Sequence, residues 1–184
     1  YEEIIKKARR FLTVIQWDES EGNTYADPEY GGAGYGRHER PDLSNTAFLI
    51  DALKGVGASS DDPAIQRALI FVSRSQNLEG AYDILEVAPK NPDGGFYYTT
   101  AKGGESQAGT TPNGGLRSYG SMTYSGLRSM IYAGVSANDP RVIAAVEWLG
   151  RHYTFAENPG MGDAGLFYYF HTAAKALHVL GQDQ

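Results

Sequence analysis

Arg67-Ala68-Leu69-Ile70-Phe71-Val72-Ser73-Arg74-Ser75-Gln76 reproduces, sixty residues on, the pattern of Lys7-Ala8-Arg9-Arg10-Phe11-Leu12-Thr13-Val14-Ile15-Gln16. A third copy, Ala145-Val146-Glu147-Trp148-Leu149, keeps the small residue and the aromatic, with Tyr153 where the others have Gln. Small and aromatic residues three apart, flanked by apolar ones, describe an amphipathic helix. Thr46, Thr123 and Thr172 mark a second recurring position. They are followed by Leu53, Met130 and Leu177, and then by Gly57, Gly134 and Gly181. Gly57 leads to Asp62-Pro63 and Gly134 to Asp139-Pro140, the same spacing twice. The unit is a helix, a Gly- and aromatic-rich crossing, a second helix and a glycine exit. Each unit has an apolar face that only its neighbours can cover.

Working outward, the periodicity places helices over 2–16, 44–56, 63–76, 121–134, 141–153 and 166–180. Asp62-Pro63 and Asp139-Pro140 combine an N-cap carboxylate with a proline at the first helical position. Either Asp42 or Ser44 caps the second helix, and Gly181 is the expected stop of the sixth. Between Asn77 and Ser118 the helical period fails. Tyr82–Val87 and Gly94–Thr100 read there as a small β-hairpin excursion over 82–100. The expected organisation is a single all-α repeat domain over 1–184, with repeats at about 1–60, 61–137 and 138–184. The chain opens on Tyr1 inside a helical pattern, which reads as a segment of a longer chain.

Composition narrows the function classes. With 184 residues and 41% apolar content there is material for one substantial core. A net charge of −6 argues against a nucleic-acid surface. The one basic cluster, Lys6-Lys7-Ala8-Arg9-Arg10, reads as the solvated face of the first helix. The absence of cysteine excludes disulfides, thiolate nucleophiles and Cys-bearing zinc sites. No apolar run approaches the roughly 20 residues of a membrane span. The 23 Gly and 13 Tyr gather in the crossings, where a backbone needs freedom and a cavity needs a lining.

Gln16 and Gln76 close the two helical patterns, and the second copy continues Gln76-x-x-x-Gly80-x-Tyr82. This resembles the QW repeat of squalene and oxidosqualene cyclases and of the wider prenyltransferase/squalene-oxidase repeat superfamily, with Tyr82 where that motif usually has Trp. The resemblance implies an α/α toroid, in which helices one, three and five are outer and two, four and six are inner. The N-terminal ends of the inner helices would face a central cavity. Three hairpins make roughly half of such a ring, so further chain or a second copy would complete it. Phe167-Tyr168-Tyr169-Phe170-His171-Thr172 is similar to the aromatic-His-Thr segment of protein prenyltransferase β subunits, whose His binds zinc. The matching Asp and Cys are missing from Ser118–Tyr124, so no zinc and no other cofactor is expected. The Asp-x-Asp-Asp acid motif of squalene–hopene cyclases and the Cys-Gly-Glu-Gln thioester motif are missing too.

The candidate ligand-binding residues are Tyr98, Tyr124, Arg128, Tyr168 and His171, with His171 the one candidate for acid–base work. Tyr168, His171 and Lys175 share one helix face. The rival reading has the aromatics packing unit against unit and His171 bonding a helix end. Asp93, Glu105 and Asp163 lie in Gly-rich crossings and read as turn chemistry. Gly31-x-x-Gly34-x-Gly36 lacks the strand and spacing of a dinucleotide site. Three functions follow as expectations. The first is a terpenoid-cyclase-like protein holding an isoprenoid or other apolar small molecule in an aromatic-lined cavity. The second is a non-catalytic scaffold for protein, peptide or glycan. The third is a polysaccharide-active toroid enzyme.

Overall fold

Asp62 accepts a hydrogen bond from Ala64 N at 3.0 Å, and Asp139 from Arg141 N at 2.9 Å. These carboxylates satisfy amides that a helix start leaves without partners, and the following prolines give up amides that have none. The computed structural model describes residues 1–182. Its helices are α1 (Glu2–Val14), α2 (Leu43–Gly55), α3 (Pro63–Arg74), α4 (Gly120–Tyr132), α5 (Pro140–Arg151) and α6 (Leu166–Gln182). Asp42 caps α2 through Asn45 N at 2.8 Å. Gly57 and Gly134 adopt φ of 84° and 79°, and the next amides turn back on Leu53 O and Met130 O, each at 3.0 Å.

The even-numbered helices pack side by side with α4 in the middle. The odd-numbered helices lie outside them, α3 touching α2 and α4, and α5 touching α4. Every residue of α4 from Gly120 to Met130 is buried. The main core runs through Leu43, Ile50, Ile65, Leu127, Met130 and Ala173.

Repetition in the sequence becomes repetition of contacts. Gln16 Nε2 donates to Gly31 O and Ala64 O, and Gln76 Nε2 to Gly94 O and Arg141 O. Each glutamine thus ties its own crossing to the first turn of the next odd-numbered helix, α3 or α5. Thr46 Oγ1 accepts from Ala33 N and donates to Asp42 O, and Thr123 Oγ1 does the same with Phe96 N and Tyr119 O. The paired glycines of the first two crossings lie flat on α3 and α5. A Cβ at Gly32 would come within 2.7 Å of the Phe71 ring, and one at Gly95 within 2.8 Å of Trp148 Nε1.

Several expectations need correction. The β-hairpin over 82–100 is absent. Residues 82–87 form turns anchored by Asp83, which accepts from Val87 N and Ala88 N. Phe96 bridges to Gln76 and Thr99 to Glu105, so the second segment pairs elsewhere. The first and third helices end two residues early, because Gln16 and Gln76 leave the helix to bridge Ala33 and Phe96. The sixth helix runs through Gly181 to Gln182, since Gly181 does not take the left-handed turn of Gly57 and Gly134. Leu177 is 40% exposed, whereas Val179 is buried. Val179 follows Thr172 by the seven residues that separate Thr46 from Leu53. Five residues rotate a side chain about 140° around the helix at roughly 100° each. Phe11 is 59% exposed, although Phe71 and Trp148 at the same repeat position are buried.

Candidate functional site

The starts of α2, α4 and α6 converge on a crevice of about 220 Å³, lined by Ser44, Tyr98, Tyr119, Ser121, Met161 and Tyr168 among others. Its walls come from the same backbone arrangement used twice. Leu43 N donates to Tyr98 O at 2.8 Å, which brings Tyr98 to the start of α2. Gly120 N donates to Pro159 O at 2.9 Å, and Ser121 N to Asn158 Oδ1 at 3.0 Å, fixing the third crossing on α4. Because Asp42 does the capping of α2, the Ser44 hydroxyl is released to the Tyr168 hydroxyl at 2.9 Å. Ser125 Oγ lies 3.4 Å from the same phenol.

Burial raises the pKa of Tyr98, and the Asp42 carboxylate adds to the effect. Burial likewise raises that of Tyr119. Both phenols therefore stay protonated at neutral pH and remain hydrogen-bond donors. The Arg40 guanidinium lies over the Tyr98 ring, 5.7 Å from its centre, and pairs with Glu105 at the crevice edge.

One turn further along, Phe48 of α2 meets α6. Its ring centre lies 6.2 Å from that of Tyr168 and 6.4 Å from that of His171. Phe48 and His171 are exposed, so this patch is open to solvent. A further turn brings together one charged group from each of α2, α4 and α6. Asp51 Oδ2 accepts from Arg128 Nη2 at 3.0 Å and from Lys175 Nζ at 3.1 Å. Arg128 is 1% exposed, and its Nε and Nη1 find no protein partner. A guanidinium does not shed its proton, so Asp51 is what keeps this buried charge compensated.

Of the sequence candidates, Tyr98 and Tyr168 line the crevice, His171 extends it, and Arg128 forms the floor of the charged cluster. Tyr124 lies elsewhere. It packs on Tyr169 with ring centres 5.7 Å apart and faces a separate groove of about 400 Å³ between α4, α5 and α6. Leu127, Val146, Leu149, Tyr153 and Leu177 are among the other residues that line that groove. Ser121, Ser125 and Arg128 form one stripe of α4, and Tyr124, three residues after Ser121 and four before Arg128, stands on the edge of that stripe and faces the groove.

Sequence reading overlooked Ser44, Phe48 and Asp51, which stand at i, i+4 and i+7 on α2. The signal is a lone phenylalanine between two polar residues on one helical stripe. Among the described residues, no three His, Cys, Asp or Glu side chains gather so as to hold a metal ion. No helix of the described chain is long and apolar enough to cross a membrane. Comparison with protein families, curated proteins and solved structures finds no match to this chain.

Proposed function

We propose that this chain is a helical-repeat scaffold of the α/α-toroid type, akin to the prenyltransferase/squalene-oxidase repeat, which binds a glycan in the crevice at the starts of its inner helices. The observation that carries the reading is the Ser44–Tyr168 hydroxyl pair beside the open Phe48 ring. Hydroxyls can donate to and accept from a sugar, and an exposed aromatic face can cover its apolar side. Tyr98 and Ser121 add further hydroxyls to the same wall. The crevice is open and sets these hydroxyls among apolar surface from Met161 and the tyrosine rings, a mixture that matches the polar edge and apolar face of a sugar. The one carboxylate facing this surface from α2, Asp51, is engaged by two cations, which suits binding better than sugar cleavage.

Titration with soluble oligosaccharides, followed by amide chemical shifts, tests this. Shifts centred on Ser44, Phe48, Tyr98 and Tyr168 are expected, and Tyr168→Phe should weaken them. His171→Ala should do the same with the melting temperature nearly unchanged, because His171 is exposed. Shifts produced only by short peptides would replace the glycan with a peptide.

A second reading, the cyclase-like one, draws on the apolar groove beside Tyr124. There an isoprenoid chain would lie along Leu127, Leu149 and Leu177 against the two tyrosines. Mass spectrometry of lipids retained through purification, compared between wild type and Leu149→Glu, separates it from the first reading.

A further inference from the structure

We infer that a cavity between the second crossing, the third crossing and the end of α5 binds a small carboxylate, held by Arg117 and the indole N–H of Trp148. The cavity, of about 310 Å³, is lined by Asn91, Asp93, Arg117, Ser118, Trp148 and His152 among others. All its walls come from residues 91–160, in the middle of the described chain. It stands apart from the crevice at the helix starts, with a shared wall between the two. Gln107, Tyr119 and Met161 line the crevice, and their neighbours Ala108, Ser118 and Gly160 line the cavity. Tyr119 is extended, with φ of −149°, so Ser118 and Tyr119 turn to opposite sides.

The chain builds this joint twice, with different chemistry. In the first copy Gly32 and Pro41 lie against Phe71, and Ser75 Oγ donates to Phe71 O at 3.0 Å. In the second, Gly95 and Ser118 lie against Trp148, and His152 Nδ1 meets Trp148 O at 2.8 Å. A carbonyl can only accept, so Nδ1 carries the hydrogen there. An apolar contact has thus become a polar one. Phe71 has nothing to donate, whereas the Trp148 N–H is buried and has no hydrogen-bond partner among the described residues. A buried donor without an acceptor is destabilising, and a group entering the cavity would supply one.

Charge points to the same class of ligand. Arg40, which precedes Pro41 as Arg117 precedes Ser118, pairs with the carboxylate of Glu105. Arg117 forms no ion pair among the described residues, and its Nε donates to Thr110 O at 2.9 Å, which fixes it at the cavity edge. The carboxylate already present does not serve it. Asp93 accepts from Gly95 N at 3.0 Å, from Ser118 Oγ at 2.7 Å and from Asn91 Nδ2 at 3.2 Å, so it is committed to its own turn. Arg151 adds a second cation, donating to Asp93 O at 2.8 Å while lying 3.9 Å from Glu147. A carboxylate is planar and anionic, and can take a guanidinium and an indole N–H together. Trp148 and His152 stack with ring centres 4.1 Å apart, giving a flat wall for the rest of the molecule. The volume is at the lower end of small-molecule sites. Neither Arg117 nor Trp148 belongs to the glycan crevice.

The indole N–H resonance of Trp148 tests this in isotope-labelled protein, titrated with acetate at constant ionic strength with chloride as the balancing anion. A saturable movement of that signal is expected. Trp17, whose N–H already donates to Glu39 O at 3.0 Å, should stay in place. Arg117→Gln should weaken binding roughly tenfold, as loss of one charge-assisted hydrogen bond does, and Arg117→Lys should recover part of it. Arg117 is exposed, so both variants should melt close to wild type. Acetamide keeps the carbonyl without the charge and should bind roughly tenfold more weakly than acetate. No saturable movement with acetate would overturn the inference. Equal movement with acetamide, or an acetate titration unchanged in Arg117→Gln, would overturn it as well.

Discussion

The side-chain amide of Gln76 donates to the carbonyl of Arg141 at 2.8 Å, joining the second hairpin to the first turn of the third. Gln16 makes the same bond to Ala64 at 2.9 Å. Truncating Gln76 to Ala would leave the carbonyls of Gly94 and Arg141 without this donor in the interior. A buried polar group without a partner costs about 1–3 kcal/mol. The expected loss for Gln76→Ala is therefore about 2–4 kcal/mol by urea unfolding, with Gln16→Ala similar. A loss under about 0.5 kcal/mol, the scale of ordinary surface substitutions, would show that these bonds do not hold the units together.

The recurring aromatic should behave unequally across its three copies. Phe71→Ala and Trp148→Ala should each cost ~3–5 kcal/mol, as truncation of large buried aromatics does. Phe11→Ala should fall within about 0.5 kcal/mol of wild type when the protein is dilute, since its side chain is exposed. Urea midpoints at constant m-value decide this. Equal losses at all three positions would mean that α1 is covered in the isolated chain.

Asp51 compensates two cations of very different burial. Asp51→Asn leaves Arg128 charged and buried, and loss of one partner of a buried pair costs about 3–5 kcal/mol. Lys175 is half exposed, so Lys175→Ala should cost no more than about 1 kcal/mol. Thermal melts of the two single variants and the double variant test the asymmetry. If Lys175→Ala proved the more damaging, Asp51 would not be acting chiefly on Arg128.

Alkaline pH should unfold the protein through its tyrosines. Burial raises the folded-state pKa of Tyr97, Tyr98, Tyr119 and Tyr124 above the unfolded value of about 10. The unfolded chain releases these protons first. Their contribution to stability is therefore fully present below about pH 10 and is lost as pH rises towards the folded values. Tyrosinate absorbance near 295 nm should include a late, steep phase that coincides with loss of helical circular dichroism. Complete titration near pH 10 with the helix content intact would contradict this account.

Local chemistry is what could be read directly from the chain. Asp62-Pro63 and Asp139-Pro140 start helices because a carboxylate and a proline suit free amides in any context. Gly57 and Gly134 end them because only glycine takes a positive φ without strain. The periodic spacing of Phe71, Val72 and Trp148 was sufficient to identify helix faces, and with them an all-α architecture of paired helices. Tyr98 and Tyr168, both singled out in the sequence, do line one crevice at the starts of α2, α4 and α6.

The tertiary structure decided whatever depends on a neighbour across space. Phe11 and Phe71 share a sequence environment, yet Phe71 is buried against Gly32 of the first crossing while Phe11 is exposed. Tyr124 looked like a companion of Arg128, but packing within a fully surrounded α4 sends the first to Tyr169 and the second to Asp51. The segment at 94–100 had the residues of a strand and found Gln76 and Glu105 as partners instead of 82–87. The stripe of Ser44, Phe48 and Asp51 places Asp51 on one face of α2, but its ion pairs arise only where three helices bring their charges within one hydrogen-bond length. Sequence determined the elements and their faces, which are short-range properties. The fold determined which faces are covered and which side chains meet, since burial and ion pairing are properties of the assembled pair and not of either residue.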